Sequence, residues 1–201
     1  NLEPADGCSP ACRFEVYCGD GVAAPTEQCD DGNGMPFDGC SPYCTSETLV
    51  ASVNFTTCPP TGWTTSGTGT DGWACANAGA NDSGSPSAGK CMKVDSYGSP
   101  GSLAHTADTH LVTTSYDLTA YTAVELSFYH FYYDYPNVSV AYGEVQLSTN
   151  GTAGTWTTLG NLTTTVAAGR WSQDVSTLVG GRSAVAFRFH YYDTTADAGW
   201  W

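Results

Sequence analysis

Positive charge is scarce: 6 Lys and Arg face 20 Asp and Glu over 201 residues, for a net charge of −14. Duplex nucleic acids are bound through clustered Lys and Arg, so this composition argues against such a partner. The same shortage disfavours attraction to anionic lipid. No apolar run approaches the ~18 residues that cross a bilayer as a helix, so membrane insertion is not expected. Catalytic signatures are missing as well, with no HExxH, GxSxG or P-loop pattern. The four histidines, His105, His110, His130 and His190, stand in no catalytic motif, and the last two lie in strand-like aromatic runs. Serines are plentiful, but nothing positions one beside a base. The reading is a non-enzyme. The opening NLEPADGCSP is polar and holds no signal-peptide core, which points to a leader already removed or to a fragment.

Cysteine, by contrast, is abundant at nine, with only two Met. That usage fits a secreted, oxidised chain in an extracellular or cell-surface setting. Ser and Thr number 45, while Thr, Val, Tyr, Phe and Trp dominate the apolar stretches, a bias toward pleated strands. Hydrophobic residues at 41% and aromatics at 12% supply a core, which argues against disorder. The fold class expected is all-β.

The chain divides by composition near residue 48. Residues 1–48 hold six cysteines and nine acids against one base, Arg13, while residues 49–201 hold eleven acids, five bases and nearly all the strand signals. The first region is too short for a useful hydrophobic core and needs covalent or metal staples. The second is long enough to bury a core of its own.

Within the first region, Asp6-Gly7-Cys8-Ser9-Pro10-Ala11-Cys12 recurs as Asp38-Gly39-Cys40-Ser41-Pro42-Tyr43-Cys44. The complete copy runs CGDGVAAPTEQCDDGNGMPFDGCSPYC from Cys18 to Cys44. Asp20, Glu27, Asp30, Asp31 and Asp38 crowd five carboxylates into a stretch without a base. Such a cluster repels itself unless a cation sits within it. With the amide oxygen of Asn33 these are hard oxygen donors suited to Ca²⁺, although the spacing is not that of an EF-hand. Solvated turn acids around disulfides are the competing reading. This segment resembles the myxobacterial-type cysteine-rich repeat, which is similar to Notch- and pappalysin-type repeats, and the resemblance supports Ca²⁺. Cys8, Cys12, Cys18, Cys29, Cys40 and Cys44 are even in number and can pair internally. Cys58, Cys75 and Cys91 cannot all pair. Cys75 with Cys91 and Cys58 with Cys75 are alternative local bridges, and the expected disulfide residues include Cys75 and Cys91.

From Leu49 onward the strand candidates are LVASVNF, KCMKVDS, HLVTTSYDL, AVELSFYHFYY, VAYGEVQLST, GTWTTLG, GRWSQDV and SAVAFRFHYY, separated by Gly, Pro, Asn and Ser clusters. Val124, Leu126 and Phe128 share one face, and Ala184, Ala186 and Arg188 oppose Val185, Phe187 and Phe189. One-sided burial of antiparallel strands implies two packed sheets. The ordered segments PPTGWTTSGTGTDGW, SYDLTAYTAVELSFYHFYYDY, GEVQLSTNGTAGTWTTLG and GRWSQDVSTLVGGRSAVAFRFHYYD…AGWW look like the MAM-like, carbohydrate-binding-like jelly-roll modules of secreted bacterial proteins. In those modules one more strand usually follows the final Gly-Trp. The expectation is therefore an antiparallel jelly-roll-like β-sandwich lacking its usual last strand, with an edge open to strand addition.

Five of the eight Asn begin an N-x-S/T sequon, namely Asn54, Asn81, Asn137, Asn150 and Asn161. Chance would place about two, so surface N-linked glycans are a candidate modification. Aromatics fall on both parities of residues 128–135, so one set is core and the other is free to meet sugar rings, with Trp63, Trp73, Trp156 and Trp171 as further candidates. The function expected is that of a non-enzymatic structural or adhesion protein, a self-assembling filament or matrix subunit completed by strands from copies of itself. The alternatives are a carbohydrate-binding accessory module of a secreted hydrolase or protease, and a piece of a metal-dependent protease.

Overall fold

A computed structural model of the chain describes residues 18–69, 72–77, 90–94, 106–134, 141–193 and 199–201. Cys8, Cys12, Asn81 and Asn137 lie outside the described residues. The chain forms two compact units, Asn1–Ser52 and Val53–Trp201. The border cuts the run LVASVNF, which is not a strand. Leu49 is 79% exposed and Val50 42%, so these two fill no core, whereas Phe55 packs edge-on against Trp63 at 6.0 Å.

The described part of the first unit is held by covalent staples and turns. Disulfide Cys18–Cys44 encloses disulfide Cys29–Cys40, with Cα separations of 5.4 and 5.7 Å. An isolated bridge between Cys40 and Ser46 is the extent of ladder pairing described here. Gly19 shows why glycine punctuates this segment. Its φ is +94°, and a Cβ there would fall 2.6 Å from the Asn33 carbonyl.

The second unit is a β-sandwich. In chain order its elements are β1 (Thr64–Gly69), β2 (Ala74–Asn77), β3 (Lys90–Lys93), β4 (Ala107–Val112), β5 (Glu125–Asp134), β6 (Ala141–Ser148), β7 (Thr157–Leu162), β8 (Val166–Asp174), the single-turn α1 (Ser176–Val179), β9 (Ala186–Asp193) and β10 (Gly199–Trp200). One sheet has the order β1-β4-β9-β6-β7, the other β10-β5-β8, and β2 and β3 form a separate ribbon. All of these strand pairs are antiparallel.

The alternation read in the sequence becomes the core. Phe128 of β5 meets Phe189 of β9 edge-on at 4.9 Å, joining the two sheets. Leu111, Val145, Phe189 and Tyr191 from the larger sheet pack with Tyr132 and Trp201, and Leu126, Phe128 and Trp171 close over them. A second cluster of Leu147, Val175, Val179, Val185 and Phe187 ties α1 to the sheet. Trp63, Trp73 and Trp171 belong to or line this core, so they are not exposed sugar platforms.

Candidate functional site

With the core on one face of β4, β9 and β6, alternate residues of the same strands form a polar outer face. The register aligns His110 with His190 and His190 with Glu144, and sets Asp108 opposite Tyr192 and Tyr192 opposite Tyr142. His190 sits between two carboxylates. Its Nδ1 is 2.9 Å from Glu144 Oε2 and its Nε2 is 2.9 Å from Asp108 Oδ1. The side chain of His190 is 12% exposed, that of Glu144 19% and that of Asp108 47%. The His110 ring stacks on His190 at 4.4 Å with 17° between the planes. Burial, then the neighbouring His190, pushes His110 down to about 4.

The network continues along the same face. Arg188 Nε donates to Gln146 Oε1 at 2.5 Å, and Gln146 Nε2 donates to Glu144 Oε2 at 2.8 Å. Thr158 Oγ1 of β7 donates to Glu144 Oε1 at 3.3 Å. Arg188 also lies over the Trp156 ring at 4.5 Å. Tyr142 and Tyr192 stack at 5.0 Å beside this network. Asp108, His110, Glu144 and His190 were not singled out by the sequence as a site. The available signal was the alternation of polar residues in these strands, which the hydrophobic reading used only to place the core.

In the cysteine-rich unit, the acids expected to hold Ca²⁺ divide by what they touch. Asp30 is engaged by the backbone: Oδ2 accepts the N–H groups of Gly19 and Asp20 at 2.9 and 3.2 Å, and Oδ1 those of Gly21 and Gly32, both at 2.8 Å. These bonds, with Gly32 first, hold its carboxyl below the usual carboxylate range. Four donors occupy the lone pairs a metal would need, so Asp30 fits a turn-organising role better than a ligand role. Asp20 accepts the Val22 N–H at 2.8 Å, and Glu27 Oε2 accepts the Ala24 N–H at 2.7 Å. Asp31, Asn33 and Asp38 come together instead. Hydrogen bonding from Asp31, and then from Asn33, keeps the Asp38 carboxyl below its ordinary range. Asn33 turns its amide N–H to Asp38 while its Oδ1 accepts the Met35 N–H at 2.7 Å, so Asp31 and Asp38 are the carboxylates that meet here. Cys44 lies near Glu27 and Asp30, but its sulfur is committed to the disulfide with Cys18.

The sandwich disulfide joins Cys58 to Cys75, correcting the Cys75–Cys91 pairing. The reason lies in the β2–β3 register, where Cys75 faces Met92 and Cys91 faces Ala76. Neighbours one position apart along a strand point to opposite faces, so Cys75 and Cys91 diverge. Cys58 Sγ reaches the Met92 side of the ribbon, 3.4 Å from Met92 Sδ. Of the sequons, Asn54, Asn150 and Asn161 are exposed. Tyr129 of β5 is 60% exposed, on the parity opposite the core set.

The class defined by these observations is a nearly all-β, disulfide-stapled protein: a cysteine-rich repeat-like segment followed by an antiparallel sandwich. Residues 5–45 match the family described as "Domain of unknown function (DUF4215)". The fold is similar to that of a cleaved adhesin domain of Lys-gingipain from Porphyromonas gingivalis, with a TM-score of 0.50 and 23% identity over 70% of this chain and 86% of that one. It also matches the enzymatically active domain of tailspike protein 4 from bacteriophage CBA120, at a TM-score of 0.44 and 14% identity, over 70% of this chain and 18% of that one. Comparison with curated proteins returns no match. Among the described residues no helix is long and apolar enough to cross a membrane.

Proposed function

We propose that the chain is a non-catalytic extracellular adhesion or binding module, and that copies of it assemble by adding a strand beside β5. The observation that carries assembly is the pairing of β5. β8 lies along one side of it from Glu125 to Tyr132, whereas β10 meets only Asp134 and Tyr133 on the other. Among the described residues no strand lies beside Glu125–His130 on that side, and exposed ladder positions are templates for strand addition. The adhesin fold supports the surface-binding reading, and the disulfides support an oxidising compartment. The repeat at the N-terminus is read as myxobacterial-type, with Ca²⁺ on the Asp31 and Asp38 carboxylates, and Asn54, Asn150 and Asn161 are read as glycan acceptors. Light scattering across a concentration series tests assembly, together with amide hydrogen exchange of residues 125–130. Growth in mass with new protection of those amides is the expected result. A particle that stays monomeric at every concentration overturns it.

A second reading, carbohydrate recognition, rests on the stacked Tyr142–Tyr192 pair on the outer face. Apolar ring faces with polar tips are suited to sugars. A glycan array that retains the wild type but not Tyr142→Ala would favour this reading, and an array that retains neither would remove it.

A further inference from the structure

We propose that Asp108, His110 and His190 form a binding site for a divalent transition-metal ion of imidazole preference, Zn²⁺ or Cu²⁺, with Glu144 as the outer carboxylate that orients His190. The site is independent of what the module adheres to. Its donors converge: one ligand atom from each of Asp108, His110 and His190 lies within 4.8 Å of the others. Strand register produces this convergence, because β4 and β9 place His110 directly opposite His190 and put Asp108 two positions along the same face as His110.

The hydrogen bonding of His190 gives the second argument. Both of its ring nitrogens face carboxylate oxygens, at 2.9 Å each. Ionised carboxylates only accept, so each nitrogen needs either a proton or a cation between it and its neighbour. A metal ion placed between Nε2 and Asp108 replaces that proton and is ligated by both groups. Nδ1–H then donates to Glu144, the carboxylate–histidine–metal arrangement that fixes the tautomer and orients the ring. Glu144 is itself held by Gln146 and Thr158, so this outer carboxylate is positioned before any ion arrives.

Two donors on one zinc ion sit roughly 3.3 Å apart, so His190 Nε2 and Asp108 Oδ1 part slightly from 2.9 Å while the His110 donor, within 4.8 Å of both, draws in. Rotation of the His110 ring about its broad Cβ–Cγ torsion supplies that movement and turns its lone pair inward, while His190 stays on Glu144. Three protein ligands leave a position for water or a donor on a bound molecule. Two imidazoles with one carboxylate suit Zn²⁺ and Cu²⁺, whereas Ca²⁺ and Mg²⁺ prefer all-oxygen sites.

Isothermal titration of the full chain with Zn²⁺ and with Cu²⁺, in excess Ca²⁺ to occupy hard-cation sites, tests the assignment. One ion per chain is expected, Cu²⁺ binding tighter than Zn²⁺, with proton release. His110→Ala, His190→Ala and Asp108→Asn should each weaken binding about tenfold or more, and Glu144→Gln roughly tenfold. Asp108 is partly exposed and outside the core, so its amide variant tests the site without disturbing packing. Nitrogen shifts of the histidine rings on Zn²⁺ addition provide a readout on the wild type, with His110 and His190 moving and His130 remaining still. Failure of the wild type to bind overturns the assignment. So does binding left unchanged by Asp108→Asn, or binding that leaves both rings unmoved.

Discussion

Truncating Trp201 to Ala tests whether its indole keys the sandwich together. Its backbone is already placed by two bonds to Val94: the Trp201 N–H donates to the Val94 carbonyl at 3.0 Å, and the Val94 N–H donates back at 2.9 Å. These survive the substitution, so the side chain is tested alone. The indole is 7% exposed and meets Trp73 at 5.4 Å, Phe189 at 5.9 Å, and His130 and Tyr132 both at 6.5 Å. An aromatic of this size buries about 150–250 Å², which at ~25 cal/mol/Å² is roughly 4–6 kcal/mol as an upper bound. Measured core truncations of Trp and Phe cost about 3–5 kcal/mol, so about 4 kcal/mol is expected. Urea unfolding followed by circular dichroism should show a midpoint lower by roughly 2 M with the slope unchanged. The floor beneath the ring supplies an internal check. A Cβ on Gly143 would lie 2.9 Å from Trp201 Cε3, and the indole is boxed in by other rings. Gly143→Ala should therefore cost about 1–3 kcal/mol alone and much less once Trp201 is Ala. A midpoint change below ~0.5 M for Trp201→Ala, or strictly additive costs in the pair, would refute the reasoning.

Three further outcomes follow from the same structure. Burial holds His130 below the usual histidine range, and its buried Nδ1 has no hydrogen-bond partner among the described residues. The unfolded chain takes up that proton more readily, so the stability contributed is complete above about pH 6.5 and is lost as pH falls through the folded value. The difference between urea midpoints at pH 7 and pH 5 should shrink in His130→Phe, with the share belonging to His110 remaining, and an unchanged pH dependence would count against this account. Asp30→Asn should speed exchange of the Gly19, Gly21 and Gly32 amides. In the wild type their protection is present above the ordinary carboxyl value and disappears as pH falls through the lowered one, which exchange measured from pH 5 downward would follow. Replacing Cys58 and Cys75 with Ala opens a bridge spanning 17 residues. About 3 kcal/mol of stability should disappear, read as a lower urea midpoint.

How legible a strand was depended on what it buries. The runs that became β5, β6 and β9 alternate strongly because one face is core, and their inward sets were readable as Leu126 and Phe128, or Val185, Phe187 and Phe189. β1, with the sequence TTSGTG, is exposed along its whole length and contains two glycines with positive φ, so hydrophobic periodicity had nothing to detect. It is a strand because β4 offers it an edge, a tertiary reason. LVASVNF failed in the opposite way, since its apolar residues lie where no ladder forms. In the cysteine-rich unit the density of acids and glycines was informative, but the role of each acid was not. Asp30 and Asp31 are adjacent and alike in sequence; only the folded backbone decides that Asp30 collects four N–H donors while Asp31 turns toward Asn33 and Asp38.

The outer-face cluster was illegible for a more general reason. Its members come from β4, β6 and β9, separated by 46 residues from Glu144 to His190 and by 82 from Asp108 to His190. Each strand alone reads as an ordinary amphipathic segment, with Asp108 and His110 outward on one, Glu144 on another and His190 on a third. What joins them is register, and register has a period of two. Sliding β9 by one residue against β4 would turn His190 inward and bring Phe189 or Tyr191 to the outer face. The inward residues forbid that slip, because Phe189 and Tyr191 are core and the slip would expose both. The hydrophobic face thus fixes the alignment of the polar one. A site of this kind becomes readable only after the core has decided which strands are neighbours and which residues face each other, and the chemistry of His190 between Asp108 and Glu144 follows from that packing.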